Sequence, residues 1–287
     1  MTRVAAIDLG TNATRLLVAD VADGGMTEIV RRTRITRLGE GVDARRRLLP
    51  VPIARVRNVL TDFRREADAL GAERTLAVAT SAVRDAENGE AFLGEVEWSY
   101  GFATRLLTGA EEAAMTLSGV GPLQPGTVLV DVGGGSTELI TDDFRTSLDL
   151  GCVRLTERHG DDLDGMAAEV RAALPQLEVE RALNVDGTTA ELAALAGSRT
   201  VTLAAIDEAL AWLAASTDEE RRARLVEPDR SDVLAAGVVV VRETLRQLGL
   251  PATTASDRDL LNGIALAAAR LPEPDEGAAP PGAYTCC

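Results

Sequence analysis

Two segments of the chain place an aspartate at the end of an apolar run, with a glycine-containing turn directly after it. They are VAAIDLGTNATRLLVAD at residues 4–20 and TVLVDVGGGSTELIT at residues 127–141. Glycine lets successive backbone N–H groups point into one concavity, and such a nest binds phosphate oxygens. An aspartate at the strand end can hold a hard cation. Each segment therefore predicts a strand, a phosphate-binding turn and a second strand.

The two turns correspond residue for residue. Either segment alone could be an ordinary hairpin whose aspartate solvates its own loop. Because the pattern occurs twice, we predict a clamp for a polyphosphate group made of two facing copies. The matched pairs are Asp8 with Asp131, Gly10 with Gly133, Thr11 with Gly134, Thr14 with Thr137, and Arg15 with Glu138.

The composition excludes several kinds of active site. All 30 basic residues are arginine, which excludes a Walker-type lysine and a Schiff base. The single histidine, His159, excludes multi-histidine metal sites and disfavours a histidine-based triad. A Cys152–His159 nucleophile pair stays open, although a buried structural thiol is the simpler interpretation. Chemistry must then rest on carboxylates, arginines and a metal.

The net charge of −15 disfavours nucleic acid as a partner. A polyanionic ligand must therefore be bound by a local cluster of positive charge. The local candidates are arginines between Arg31 and Arg47, for which a solvated loop is an equally good interpretation. No apolar run is long enough for a membrane span, and the N-terminus lacks a signal-peptide layout. The cysteines, Cys152, Cys286 and Cys287, offer no disulfide framework. We therefore expect a cytoplasmic protein.

The periodicity of apolar residues predicts the order β-β-β-α-β-α-β-α twice, which indicates two related α/β domains. The turn-rich stretch GVGPLQPG at residues 119–126 is the predicted boundary. We expect an N-terminal domain at 1–120 and a C-terminal domain at 121–271, whose last helix could also pack on the first domain. The Pro/Gly-rich segment 272–287 is predicted to be a disordered tail.

Together with TSAVR at residues 80–84 and TGAEEA at residues 108–113, the two turns give the chain a family resemblance. From residue 3 to about residue 270 it resembles the exopolyphosphatase / guanosine pentaphosphate phosphohydrolase (Ppx/GppA) family in its short, two-domain form. The resemblance implies an α/β fold of two duplicated actin-like (ribonuclease H-like, ASKHA) domains flanking an interdomain cleft. It also implies Mg²⁺-dependent removal of the terminal phosphate of inorganic polyphosphate or of guanosine pentaphosphate, with Mn²⁺ as a substitute.

The resemblance assigns roles residue by residue. Glu112 is the base that activates water, and Glu138 is the second catalytic residue. Asp8, Asp131 and Glu138 are the expected metal ligands. The expected phosphate contacts are Gly10, Thr11, Asn12, Arg15, Ser81, Arg84, Gly133, Gly134, Gly135, Ser136 and Thr137.

Two features leave room for other interpretations. Glu111 and Glu112 could simply be an acidic helix N-terminus, and only the resemblance selects Glu112. The third turn, DGTT at residues 186–189, and the late segment SDRDLLNG at residues 256–263 depart from the family pattern. Asp186, Glu191, Asp257 and Asn262 could therefore weaken phosphate binding or domain closure.

We expect an exopolyphosphatase, because only 3% of residues are aromatic and a purine site would need stacking side chains. A guanosine pentaphosphate (pppGpp) 5′-phosphohydrolase is the first alternative. A catalytically weak regulator that binds alarmone or polyphosphate is the second. The expected partners are these phosphate ligands and a second copy of the chain as a candidate homodimer, but neither nucleic acid nor membrane.

Overall fold

The computed structural model describes residues 1–22 and 25–272. The predicted tail lies outside the described residues except for Pro272, and so do Cys286 and Cys287. Within the described part of the chain, no helix combines the length and the apolar character that a membrane crossing requires.

Strands and helices alternate along most of the chain. The strands are β1 (Thr2–Leu9), β2 (Ala13–Ala22), β3 (Gly25–Ile35), β4 (Arg74–Ala79), β5 (Ala103–Leu106), β6 (Thr127–Val132), β7 (Thr137–Ile140), β8 (Arg145–Leu148), β9 (Arg181–Asn184), β10 (Thr200–Thr202) and β11 (Ala252–Ala255). The helices are α1 (Val42–Arg45), α2 (Pro50–Ala69), α3 (Ser81–Arg84), α4 (Gly89–Tyr100), α5 (Gly109–Val120), α6 (Cys152–His159), α7 (Leu163–Ala173), α8 (Gly187–Ala196), α9 (Leu203–Ala215), α10 (Asp218–Arg224), α11 (Leu234–Gln247) and α12 (Leu260–Ala268).

The strands form two sheets of the same design. The first has the order β3-β2-β1-β4-β5, antiparallel from β1 to β3 and parallel from β1 to β5. The second repeats it as β8-β7-β6-β9-β11 and adds β10 antiparallel at the edge. This repeated arrangement is that of the actin-like, ribonuclease H-related fold, so the prediction of two such α/β units is confirmed.

The contacts divide the chain into two units. One comprises Met1–Val120 together with the chain from Leu260 onward, and the other is Gly121–Asp259. The second unit is thus shorter than the predicted span 121–271. The physical reason is α12, whose Leu261 and Ile264 are buried against Val4 and Ala6 of β1.

The first sheet is buried on both faces, as β1 illustrates. Its alternate residues Ala5, Ile7 and Leu9 belong to one apolar cluster, and Val4 and Ala6 belong to another. Successive side chains of a strand point to opposite faces, so one continuous apolar run supplies two cores. A third cluster fills the second unit. Strand ends next to these cores are held firmly, and both glycine turns begin at such ends.

Candidate active site

Both glycine turns close with the same backbone hydrogen bond. Gly10 N donates to Ala13 O over 3.1 Å, and Gly133 N donates to Ser136 O over 2.9 Å. A Cβ at Gly10 would lie 2.8 Å from Ala13 O, and one at Gly133 would lie 3.0 Å from Ser136 O. The close approach of the backbone therefore excludes a Cβ at Gly10 without movement of the turn and makes one at Gly133 tight.

Both turns also present buried amides. Thr11, Asn12, Gly135 and Ser136 are buried, yet their backbone N–H groups donate no hydrogen bond within residues 1–22 and 25–272. Nδ2 and Oδ1 of Asn12 also lack a partner among these residues. Buried backbone amides are almost always hydrogen-bonded. The backbone N–H groups and Nδ2 of Asn12 are therefore able to donate to an anionic ligand.

The matched strand positions beside the two turns carry different charges in the two units. In the first unit Asp8 pairs across the strands with Arg15, whose Nη2 lies 2.8 Å and Nε 2.9 Å from Oδ2 of Asp8. Arg15 thus neutralises the aspartate that was expected to hold a metal. The role of Asp8 as a metal ligand stays a prediction.

In the second unit the same positions hold two carboxylates, Asp131 and Glu138, which are cross-strand partners. Directly opposite side chains in an antiparallel pair lie on the same face. Glu138 is 1% exposed, and Oγ of Ser147 donates to its Oε1 over 2.6 Å. Among the described residues, no group of three or more His, Cys, Asp or Glu side chains forms a metal site. A pair of carboxylates nevertheless fits Mg²⁺, which binds through one or two carboxylates and substrate phosphates.

Glu112 lies in the first turn of α5 and is 7% exposed. Arg84, at the end of α3, places Nη1 3.2 Å from its Oε2 and also donates over 2.9 Å to Leu107 O. Burial raises the pKa of Glu112 to about 7; Arg84 opposes this, and Asp8 adds to it. A carboxylate whose pKa is near neutrality is suited to accept a proton from water.

The neighbouring Glu111 has a different environment. Its carboxylate accepts hydrogen bonds from N and Oγ1 of Thr108, over 2.9 and 2.8 Å. These bonds hold its pKa below the usual range. Glu111 is thus an exposed cap at the helix start, and Glu112 is the buried member of the pair.

Thr11 and Ser81 make contacts within the first unit. Oγ1 of Thr11 accepts a hydrogen bond from Ala82 N over 3.2 Å, which ties the first turn to α3. The buried Ser81 contacts Asp85 through Oγ at 3.4 Å. Asp8 pairs with Arg15, Thr11 contacts α3, and Arg84 contacts Glu112, all inside one unit. Asp8 and Arg15 also lie near enough to Glu112 to shift its pKa.

Arg154, which no sequence motif singled out, supports the second turn. This buried arginine donates from Nε to Gly135 O over 2.7 Å. In the same helix, Cys152 N and Val153 N donate to Gly133 O and Gly134 O over 3.0 and 2.9 Å. An arginine between the apolar residues Val153 and Leu155 was the available signal, because a buried cation needs a specific acceptor.

The alternative Cys152–His159 pair is wrong. Cys152 is buried, and burial raises the pKa of its thiol to about 11. His159, at the opposite end of α6, contacts Glu169 over 2.5 Å through Nε2. The thiol is thus protonated at neutral pH, and the imidazole is bound elsewhere.

Comparison with known proteins identifies the family. A model of the Ppx/GppA phosphatase family matches residues 17–270. The chain belongs to this family. It is therefore a phosphatase, a hydrolase of phosphoanhydride bonds.

Individual Ppx/GppA relatives differ in how much of their length aligns with this chain. Exopolyphosphatase 2 of Mycobacterium tuberculosis is 38% identical, covering 94% of this chain and 99% of the relative. A guanosine-5′-triphosphate,3′-diphosphate pyrophosphatase of Vibrio cholerae is 34% identical over 54% of this chain and 33% of its own length. The crystal structure of an exopolyphosphatase-like protein is similar with a TM-score of 0.85 at 28% identity, covering 93% of this chain and 97% of that one.

The departures from the Ppx/GppA pattern have structural roles. Asp186 caps α8 by accepting from Thr189 N over 2.7 Å, and burial raises its pKa. Glu191 accepts from the backbone amides of Val226 and Glu227 over 3.0 and 2.7 Å. Asn262 accepts through Oδ1 from Nη2 of Arg31 over 3.1 Å. Each of these polar groups is satisfied by a defined neighbour in its own unit.

Proposed function

We propose that this Ppx/GppA phosphatase is a Mg²⁺-dependent exopolyphosphatase that releases terminal orthophosphate from inorganic polyphosphate. The observation that carries the proposal is Glu112, a buried carboxylate whose pKa is raised to about 7 while it contacts Arg84. The name and full-length match of the Mycobacterium tuberculosis relative support polyphosphate as the substrate.

Glu112 acts as the general base. Its carboxylate takes a proton from a water molecule while the water oxygen bonds to the terminal phosphorus atom. The bond from that phosphorus to the bridging oxygen breaks, and the shortened polyphosphate leaves with the bond electrons. A phosphoanhydride has a good leaving group, so positioned water and charge neutralisation matter more than a strong acid.

The arginines and the turn amides bind the phosphate oxygens. Arg84 can contact the terminal phosphate while it orients Glu112, and an arginine fork suits two phosphate oxygens. The amides of Thr11 and Asn12 would donate to the substrate from the first turn. In the second unit, Asp131 and Glu138 would hold Mg²⁺, which when bound neutralises charge on the phosphate oxygens.

A pppGpp 5′-phosphohydrolase is the second candidate. The observation that favours it is the 34% identity to the Vibrio cholerae pyrophosphatase. Against it, that match covers 54% of this chain, whereas the exopolyphosphatase match covers 94%.

The location and assembly of the protein are part of the proposal. We propose a cytoplasmic location, where the free, buried thiol of Cys152 would stay reduced. A homodimer stays a prediction, to be checked by light scattering.

Phosphate release measured with malachite green tests the activity. The substrates are long-chain polyphosphate, tripolyphosphate, pppGpp and ATP, each with Mg²⁺. We expect polyphosphate to give the highest kcat/KM. Faster turnover of pppGpp would assign the second candidate function instead, and binding without turnover of any substrate would indicate a regulator.

A further inference from the structure

Three consecutive arginines begin at the last residue of α1, and we call residues 45–47 the arginine loop. Arg45, Arg46 and Arg47 are all exposed. Within residues 1–22 and 25–272, none of their side chains makes an ion pair or a hydrogen bond. Other arginines nearby are paired: Arg55 contacts Glu40 over 2.6 Å, and Arg32 contacts Glu66 over 2.7 Å. The loop therefore concentrates uncompensated positive charge.

The backbone of the arginine loop is fixed. Glu87 N donates to Arg46 O over 2.8 Å. Next to it, Leu48 N donates to Oδ1 of Asn88 over 2.8 Å, and Nδ2 of Asn88 donates back to Leu48 O over 3.1 Å. Leu48 is 1% exposed and anchors the loop in the core. The alternative of a freely solvated loop thus fails for the backbone, since it is bound on both sides of Arg47.

This attachment places the loop close to the candidate active site of the same unit. Glu87, which contacts Arg46, is three residues after Arg84 in the chain. Even fully extended, three residues span at most about 11 Å. Arg84 in turn contacts Glu112. The loop is therefore close enough to the proposed site of hydrolysis for one polyphosphate chain to reach both.

We infer that Arg45 and Arg47 form a second phosphate-binding site, which holds internal phosphates of a polyphosphate chain whose terminal phosphate lies at Arg84 and Glu112. The inference rests on the proposed function. It assigns the loop a role in selecting long chains, because a substrate of a few phosphates would end before it reaches the loop.

The distribution of charge along the chain supports polyphosphate as the ligand of the arginine loop. Residues 119–287 carry 14 arginines against 28 acids, so the net charge of −15 comes almost entirely from them, and residues 1–118, which hold the arginine loop, are near neutral. Exposed, unpaired arginines offer local attraction, and each can donate two hydrogen bonds to phosphate oxygens. Such exposed contacts are screened by salt. Retention of long chains should therefore weaken as ionic strength rises.

The test is the double variant Arg45→Gln/Arg47→Gln. Arg46 is left in place because its backbone is left-handed, with φ 53°. The matched control is Arg65→Gln/Arg258→Gln, which removes the same charge from two other exposed arginines. Both double variants should fold normally, which circular dichroism and thermal melting would check.

KM is measured on long-chain polyphosphate and on tripolyphosphate at low and physiological salt. We expect the loop variant to raise KM for long chains about tenfold at low salt, with kcat unchanged. KM for tripolyphosphate should stay the same, and the control should match the unmodified protein. An unchanged KM on long chains, an equal rise on tripolyphosphate, or an equal rise in the control would overturn the inference.

A binding measurement distinguishes failure of this inference from failure of the proposed function. Fluorescence anisotropy of end-labelled long polyphosphate is measured with the unmodified protein and with both double variants, without turnover being needed. If the unmodified protein releases no phosphate from polyphosphate, the proposed function fails. About tenfold weaker binding by the loop variant alone would still support the second site, and equal binding by all three proteins would refute it.

Discussion

Nη1 of Arg84 lies 3.2 Å from Oε2 of Glu112, yet the pKa of this carboxyl group is raised rather than lowered. A neighbouring arginine normally stabilises a carboxylate and lowers its pKa. Here burial outweighs the arginine and brings the pKa to about 7. The pair thus keeps a base that accepts protons readily near neutral pH, next to a cation that can bind phosphate.

Replacing Glu112 by glutamine should reduce kcat about 10²–10⁴-fold, because the amide keeps the shape and loses the proton acceptor. Binding of polyphosphate to this variant, measured by calorimetry, should persist. Glu111→Gln is the matched control, since Glu111 is exposed and its carboxylate accepts a hydrogen bond from Thr108 N. Near-normal turnover by Glu112→Gln would contradict the assignment, and a comparable loss in the control would move the base by one residue.

The pH dependence of kcat should report the Glu112 carboxylate. Only its deprotonated form accepts a proton, so kcat should fall as the pH drops through about 7. Arg84 lowers this pKa, so Arg84→Gln should move the acidic limb to higher pH, and Arg84→Lys should largely restore its position. The profiles are measured at saturating substrate. An acidic limb that stays in place in Arg84→Gln would rule out this electrostatic coupling.

Removal of divalent metal should abolish phosphate release. We expect EDTA to stop the reaction and Mg²⁺ or Mn²⁺ to restore it, because carboxylates and phosphates are ligands for hard cations. Asp131→Asn should raise the Mg²⁺ concentration needed for half-maximal activity. Asp142→Asn, an exposed acid in the loop after β7, is the control. Full activity in chelator, with metal absent by elemental analysis, would exclude a metal.

Arg154→Gln should lower kcat about 10- to 100-fold, since small displacements of groups that position a substrate cost that much. The reason is the lost hydrogen bond from Nε to Gly135 O, which holds the second turn. Thr156→Val is the control, because Thr156 bonds to Cys152 O within the same helix. A stability loss without any change in kcat would show that Arg154 only supports the fold.

Local patterns made much of the fold predictable. The apolar runs ending in Asp8 and Asp131 and the glycines after them are sufficient to predict both hairpins, because strand alternation and turn chemistry act over a few residues. The three-residue β10 was missed, since so short a strand exists only by pairing with β11.

Features that depend on distant residues were less predictable. The packing of α12 depends on apolar partners in β1, more than 250 positions away. Glu111 and Glu112 are adjacent acids, and the periodicity of the sequence does not show which of them is the candidate base. Family resemblance selected Glu112, and the structure adds the physical difference, which is burial near Arg84. Arg154 was missed because its acceptor, Gly135 O, becomes visible only when α6 is placed beside the turn.

The return of α12 to the first unit has a consequence for biosynthesis. The second unit is one uninterrupted stretch, Gly121–Asp259, whereas the first unit needs Leu260–Ala268 to cover the Val4 and Ala6 face of β1. A ribosome therefore delivers every residue of the second unit before it delivers the final helix of the first. Domains generally fold as units during synthesis. Synthesis from the N-terminus thus favours folding of the second unit before the first is complete. Until α12 has been made, one apolar face of the N-terminal sheet is uncovered.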